Sequence, residues 1–154
     1  MSDPKDALPI RFLLVEDDHD HAFIVKKTIE RERIMNSVVH AENGAEAWEM
    51  LSRQGEHADT PLPDIIILDI KMPVMNGHEL LAKIREDDRL RRIPVVMMTT
   101  SESERDREMA YSQHVNSYLV KPLDFEKFRQ LVKDLSLYWG VWNWNPPSGD
   151  LTRE

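Results

Sequence analysis

The chain contains no cysteine. Disulfides, zinc–thiolate centres and thiol nucleophiles are thereby excluded. No apolar run approaches the roughly 20 residues that a membrane-spanning helix needs. The stretch Met1 to Pro9 is polar and has no apolar targeting core, so the expected location is the cytoplasm. Positive charge is short: 20 Lys and Arg stand against 28 Asp and Glu, a net charge of −8. Binding nucleic acid takes a basic surface that neutralises phosphates, so neither nucleic acid nor membrane is an expected partner. The phosphate-cradling pattern G-x-x-x-x-G-K is absent, which removes P-loop nucleotide chemistry. Internal repeats and low-complexity segments are absent too.

What the 154 residues do contain is an alternation. Ile10 to Val15 is an apolar run ending at Glu16-Asp17-Asp18, and a helix capped near Asp18 follows to about Arg33, with Ala22, Val25 and Ile29 at helical spacing. Ser37 to Ala41 reads as a second strand and Ala45 to Leu51 as a helix after the Asn43-Gly44 turn. Asp64 to Leu68 is the clearest strand, with a helix near His78 to Asp87 behind it. Pro94 to Met98 is the fourth strand, and a helix capped by Ser101 runs to Gln113. Ser117 to Val120 is the fifth. Asp124 caps a last helix with Phe125, Phe128, Leu131, Val132 and Leu135 inward. Strand and helix patterns alternating in this way predict one α/β domain. Apolar rather than alternating strands are buried on both faces. The expected fold is a doubly wound, five-stranded parallel sheet of order 2-1-3-4-5, flavodoxin-like, with helices on both faces. Residues 1–9 read as an extension, 10–138 as the folded domain, and 139–154 as a Trp-rich arm.

The chemically capable residues recur just after strand ends: Glu16 and Asp17, Asp69, Thr99 and Lys121. In an open parallel sheet these points share one edge, where ligands bind. Three carboxylates side by side cannot all stay ionised cheaply. A divalent cation removes the conflict, and an all-oxygen donor set indicates a hard ion such as Mg²⁺. An aspartate can serve as a nucleophile that forms an aspartyl phosphate. The cation and Lys121 would then neutralise the phosphoryl oxygens, with a hydrogen bond from Thr99.

The set Glu16-Asp17, D-x-x-x-P-x-x-x-G at Asp69, Pro73 and Gly77, Thr99-Thr100-Ser101, and Lys121-Pro122 resembles the receiver domain of two-component response regulators. The resemblance spans about Ile10 to Leu137. It implies that Asp69 is both the phosphoacceptor and a Mg²⁺ ligand, that Asp17 binds Mg²⁺ directly and Glu16 mainly through water, and that the backbone carbonyl of Lys71 is the third protein ligand. Thr99 and Tyr118 match the switch pair, Lys121 matches the family's ammonium, and its bond to Pro122 is expected to be cis. The long loop before the third strand, the T-T-S run and the aromatic tail resemble the small regulators paired with bacterial and cyanobacterial phytochromes. That likeness implies a phytochrome-type sensor histidine kinase as partner and a homodimer. Such a protein is a signalling phosphoacceptor rather than an enzyme with a separate substrate, although it promotes its own phosphorylation and dephosphorylation. About 30 residues follow Pro122, too few for an output domain. Output therefore falls to a partner, a dimer change, or transfer onward to a histidine phosphotransfer protein.

Plainer roles compete at several positions. Asp69 alone would read as a turn residue, and Tyr118 as core packing. His19 and His21, two apart on a helix, do not face each other and read as surface residues. Lys71 and Ser101 lie two positions beyond Asp69 and Thr99 and are expected to overhang the phosphoryl group and tune its lifetime. A haloacid-dehalogenase-like phosphatase needs a second Asp two residues after the first; Ile70-Lys71 argues against it. A degenerate receiver that never takes phosphate is disfavoured by the five intact positions. Trp139, Trp142 and Trp144 read as a dimer arm, or else as an arm folded back on its own domain.

Overall fold

The three central apolar runs become strands because each must bury both faces at once; the two edge runs, at 37–41 and 117–120, stay partly exposed. In the computed structural model, which describes residues 10–32, 36–53 and 58–139, they are β1 (Arg11–Val15), β2 (Ser37–Ala41), β3 (Ile65–Leu68), β4 (Val95–Thr99) and β5 (Ser117–Val120). All pair in parallel, in the order β2-β1-β3-β4-β5. The helices between and after them are α1 (His19–Glu32), α2 (Gly44–Leu51), α3 (Gly77–Glu86), α4 (Glu104–Ser112) and α5 (Phe125–Leu137). The expected fold class and strand order are borne out.

Successive strand residues point to opposite faces, so each strand feeds two cores. Phe12, Leu14, Ile65, Ile67, Val96 and Met98 pack with Val25 and Ile29 of α1 and Phe128 and Val132 of α5. Leu13, Val15, Ile66, Leu68, Val95 and Met97 pack with α2, α3 and α4 through Leu51, Leu81, Ile84 and Ala110. The chain leaves β1 toward β2 on one side and returns to β3 on the other. The switch in direction opens a crevice at the carboxyl ends of β1 and β3.

Local chemistry sets where the helices start. Asn43 accepts from the Glu46 N–H, and Asn76 and Glu79 form a reciprocal capping box. Asp124 accepts from the Lys127 N–H, and Asp18 from the His21 N–H at 3.0 Å. Each such cap stabilises its helix by about 1 kcal/mol.

Several expectations need correction. Ser103, not Ser101, caps α4, because the Ser101 hydroxyl is engaged elsewhere. Phe125 is exposed although it lies seven residues before Val132, at nearly the same angle around α5, because it opens the first turn of the helix; Leu131, at the flank of the stripe, is only half-buried. No cis peptide occurs among the described residues: Lys121 reaches its partners from a trans bond to Pro122. Trp139 does not sit on an irregular arm. Tyr138 keeps helical backbone (φ −60, ψ −53), which carries Trp139 round to pack with Ile10, Phe12 and Leu135. Residues 1–9, Trp142 and Trp144 lie outside the described residues. Among the described residues, no helix is long and apolar enough to cross a membrane.

Candidate functional site

The sheet's hydrogen-bond ladder runs one residue past three of its strands. The Glu16 N–H donates to the Ala41 carbonyl at 3.0 Å, the Asp69 N–H to Val15 at 3.1 Å, and the Lys121 N–H to Thr99 at 2.7 Å. Backbone pairing thus fixes Glu16, Asp69 and Lys121 on one rim. Oxygens of Glu16, Asp17 and Asp69 lie within 4.8 Å of one another. Lys121 is buried and reaches across the rim, ion-paired with Glu16 Oε1 and with Asp69 Oδ2 at 3.0 Å. The other Asp69 oxygen accepts from the Ile70 N–H at 2.7 Å, and Glu16 Oε2 from the Asp18 N–H at 3.1 Å.

Burial, and then the neighbouring Asp69 charge, push the Glu16 carboxyl up to about 7; the hydrogen bond and charge of Lys121 oppose this. Asp17 is exposed at the mouth. The rim therefore holds more carboxylate than its single ammonium neutralises. Its donors are all oxygen, so the residues fit a hard divalent cation. Glu16, Asp17 and Asp69 are the side chains that would hold it.

The turn after Asp69 is built tightly. The Gly77 N–H donates to Ile70 O at 2.8 Å, and a Cβ at Gly77 would stand 2.2 Å from the Asp69 carbonyl. The spacing from Asp69 to Gly77 thus has a steric cause. Within the turn the Met75 N–H donates to Pro73 O at 2.7 Å, and Val74 between them has φ 69. That conformation is strained for a β-branched residue. Lys71 is exposed and, with Asp17, Met72, Asn76, His78 and Asp106, lines an open groove beside the rim.

Thr99 is buried, and its Oγ1 accepts from the Ser101 N–H at 3.3 Å. Ser101 does not present its hydroxyl to Asp69. It donates to Asp106 Oδ2 at 2.6 Å, and Asp106 Oδ1 lies 3.0 Å from His78 Nε2. Both contacts hold the Asp106 carboxyl below its ordinary range. The half-buried Tyr118 donates from its hydroxyl to the Ser101 carbonyl at 3.0 Å. The bond between Ser101 and Asp106 across a loop has no signature in the sequence. His21 was also missed, and there a signal existed. It falls four residues before Val25 and eight before Ile29, on the inward stripe of α1. Its Nδ1 lies 3.0 Å from Lys121 Nζ.

A family model for the response regulator receiver domain matches residues 12–133. The chain belongs to that family. This receiver domain is 41% identical to the probable methanogenesis regulatory protein FilR2 of Methanothrix harundinacea (strain 6Ac), over 90% of this chain and 88% of that protein. Its fold matches the phosphorylated cyanobacterial phytochrome response regulator RcpA with a TM-score of 0.87 and 33% identity, over 90% of this chain and 99% of that one. It matches the Mn²⁺-bound form of response regulator Rcp1 equally, at 0.87 and 33%, over 90% and 100%. Receiver domains are signalling proteins, and in this one the acidic cluster of Glu16, Asp17 and Asp69 stands where a divalent metal could bind.

Proposed function

We propose that this receiver domain takes a phosphoryl group onto Asp69 from a phytochrome-type histidine kinase, in a Mg²⁺-dependent step. The observation that carries the reading is the placement of Asp69 between Lys121 and the Glu16–Asp17 pair at the end of the central strand. A carboxylate oxygen of Asp69 bonds to phosphorus as the P–N bond of the donor phosphohistidine breaks, with its electron pair staying on the imidazole. Lys121 holds the acceptor and offsets charge gathering on the phosphoryl oxygens. Thr99 offers its hydroxyl, and Tyr118 follows by turning inward. Mg²⁺, when bound, would supply further charge neutralisation; Asp17, Asp69 and the Lys71 carbonyl would hold it, with Glu16 acting through water. Lys71 and Ser101 set how long the phosphate survives, Lys71 from the groove and Ser101 through its tie to Asp106. The output is a change in a partner or in self-association, the latter drawing on Trp142 and Trp144. Onward transfer to a histidine phosphotransfer protein is the alternative route. The cytoplasm is the matching compartment.

Asp69→Asn is expected to abolish acid-labile phosphorylation by kinase and by acetyl phosphate. Undiminished Mg²⁺-dependent labelling of that variant would overturn the assignment. The phytochrome pairing rests on the likeness to RcpA. The likeness to FilR2 favours a kinase tied to another signal. Light-dependent transfer from a phytochrome kinase, against transfer from a kinase without a bilin domain, separates the two.

A further inference from the structure

We propose that His21 is a positioning residue that aims the ammonium of Lys121 at the reacting group; the proposal rests on the reading of Asp69 as acceptor. An ammonium carries three N–H donors and no acceptor. Lys121 is 5% exposed, so a donor left without a partner there would be costly. Glu16 Oε1 takes one donor, Asp69 Oδ2 the second, and His21 Nδ1, at 3.0 Å, the third.

The chemistry of this third contact fixes the state of the ring. Lysine cannot accept, so the imidazole must. Its Nδ1 then carries a lone pair, and its proton sits on Nε2. The ring is braced for that task. The His21 backbone N–H donates to Asp18 Oδ1, and the ring stands edge-on to Phe128 of α5 at 5.3 Å. Asp18 Oδ2 lies 3.8 Å from Nδ1, too far to displace the ammonium.

Two of the three acceptors, Glu16 on the β1 rim and His21 on α1, take no part in bond making. Only Asp69 changes, when one of its oxygens becomes the ester. A tripod with two unchanged legs keeps its third N–H over the reaction site, where it meets phosphoryl oxygen without first reorienting. Donors fixed before the reaction are what lower such barriers. Without His21 the third N–H loses its acceptor, and the aim of the other two relaxes.

The acceptor's position makes the proposal testable by shape. Asn Oδ1 is bonded to Cγ, as His Nδ1 is, so His21→Asn keeps an acceptor at that point. His21→Gln moves it one bond outward. His21→Phe keeps the ring against Phe128 and removes the acceptor. With acetyl phosphate and Mg²⁺, His21→Phe and His21→Gln should slow phosphorylation at saturating donor by roughly five- to tenfold, leaving the half-saturating donor concentration nearly unchanged. His21→Asn should restore the parental rate. In metal-free protein, ¹⁵N spectra should show His21 as the Nε2–H tautomer with a hydrogen-bonded Nδ1, and Lys121→Met should abolish that shift. A parental rate in His21→Phe, an Asn variant as slow as Phe, or an Nδ1 signal indifferent to Lys121→Met would overturn the proposal. If the parent takes no phosphate at all, the acceptor reading fails, and the ¹⁵N comparison still decides whether His21 holds Lys121.

Discussion

Each end of the sheet holds a cation with several hydrogen-bond partners, one buried and one only half-buried, and the two are satisfied by different kinds of partner. At the carboxyl rim Lys121 is surrounded by the side chains of Glu16, Asp69 and His21. At the amino rim Arg85 directs its N–H groups to the carbonyls of Arg91, Ile93 and His114 and to the Asn116 amide oxygen. Those oxygens are neutral under all conditions, and burial alone pulls the Arg85 pKa down. Arg85 therefore joins the end of α3 to the segments entering β4 and β5 and does nothing else. Lys121 has one partner, the Asp69 carboxylate, that the proposed phosphoryl transfer would replace, while Glu16 and His21 stay in place.

If the comparison holds, removing the two cations should have inverse effects. Lys121→Met should lower the phosphorylation rate by roughly a hundredfold or more. Its stability should change little, since Glu16 can take up a proton once its counter-charge is gone. Arg85→Met should do the reverse, costing about 2 kcal/mol in urea unfolding, because the part-buried Ile93 carbonyl loses its donor and the tie between the two loop segments is cut. The phosphorylation rate of its folded fraction should stay within about twofold of the parent. A stable Arg85 variant, or a slow one, would erase the distinction.

A further effect concerns pH. In the metal-free protein Glu16 is raised from 4.5 to about 7, so the folded state binds this proton more tightly than the unfolded chain does. Its contribution is complete below 4.5 and is lost as pH rises through about 7. Relative to Glu16→Gln, the parent in EDTA should lose roughly 3 kcal/mol across that window. Urea titrations at a series of pH values measure it, and parallel curves for the two proteins would contradict the assignment. The smallest expected effect is at the turn. Val74→Gly relieves a strained positive φ and should stabilise the protein by about 1 kcal/mol, read as a small rise in melting temperature.

Much of this molecule was legible because burial leaves a periodic mark. Ile65 to Leu68 is apolar without interruption, as a strand covered on both sides must be, and acids, hydroxyl and lysine follow strand ends because the crevice lies there. Side-chain geometry inside loops left no such mark. Ser101 stands where a helix cap is expected, yet its hydroxyl finds Asp106, and Ser103 caps instead. Trp139 looked like part of an arm because Gly140 and the prolines beyond it suggest irregular chain; the helical backbone at Tyr138 carries it into the core. His21 was hidden by its neighbour. His19 is exposed, and reading the pair together obscured that only His21 lies on the inward stripe.

The hydrogen bonds from Tyr118 to the Ser101 carbonyl, from the Ser101 hydroxyl to Asp106, and between Asp106 and His78 join β5, the loop after β4, α4 and α3. Thr99, the last residue of β4, is tied to that loop by the bond it accepts from the Ser101 N–H. A protein that docks on α4 or β5 and prefers one arrangement of this chain of bonds acts on Thr99 at a distance. Thermodynamic reciprocity makes the exchange symmetrical: whatever factor phosphate on Asp69 adds to that protein's affinity, the bound protein returns as the same factor in the equilibrium for phosphate on Asp69. The listener on the outer face of this receiver thereby helps decide how much signal there is to hear.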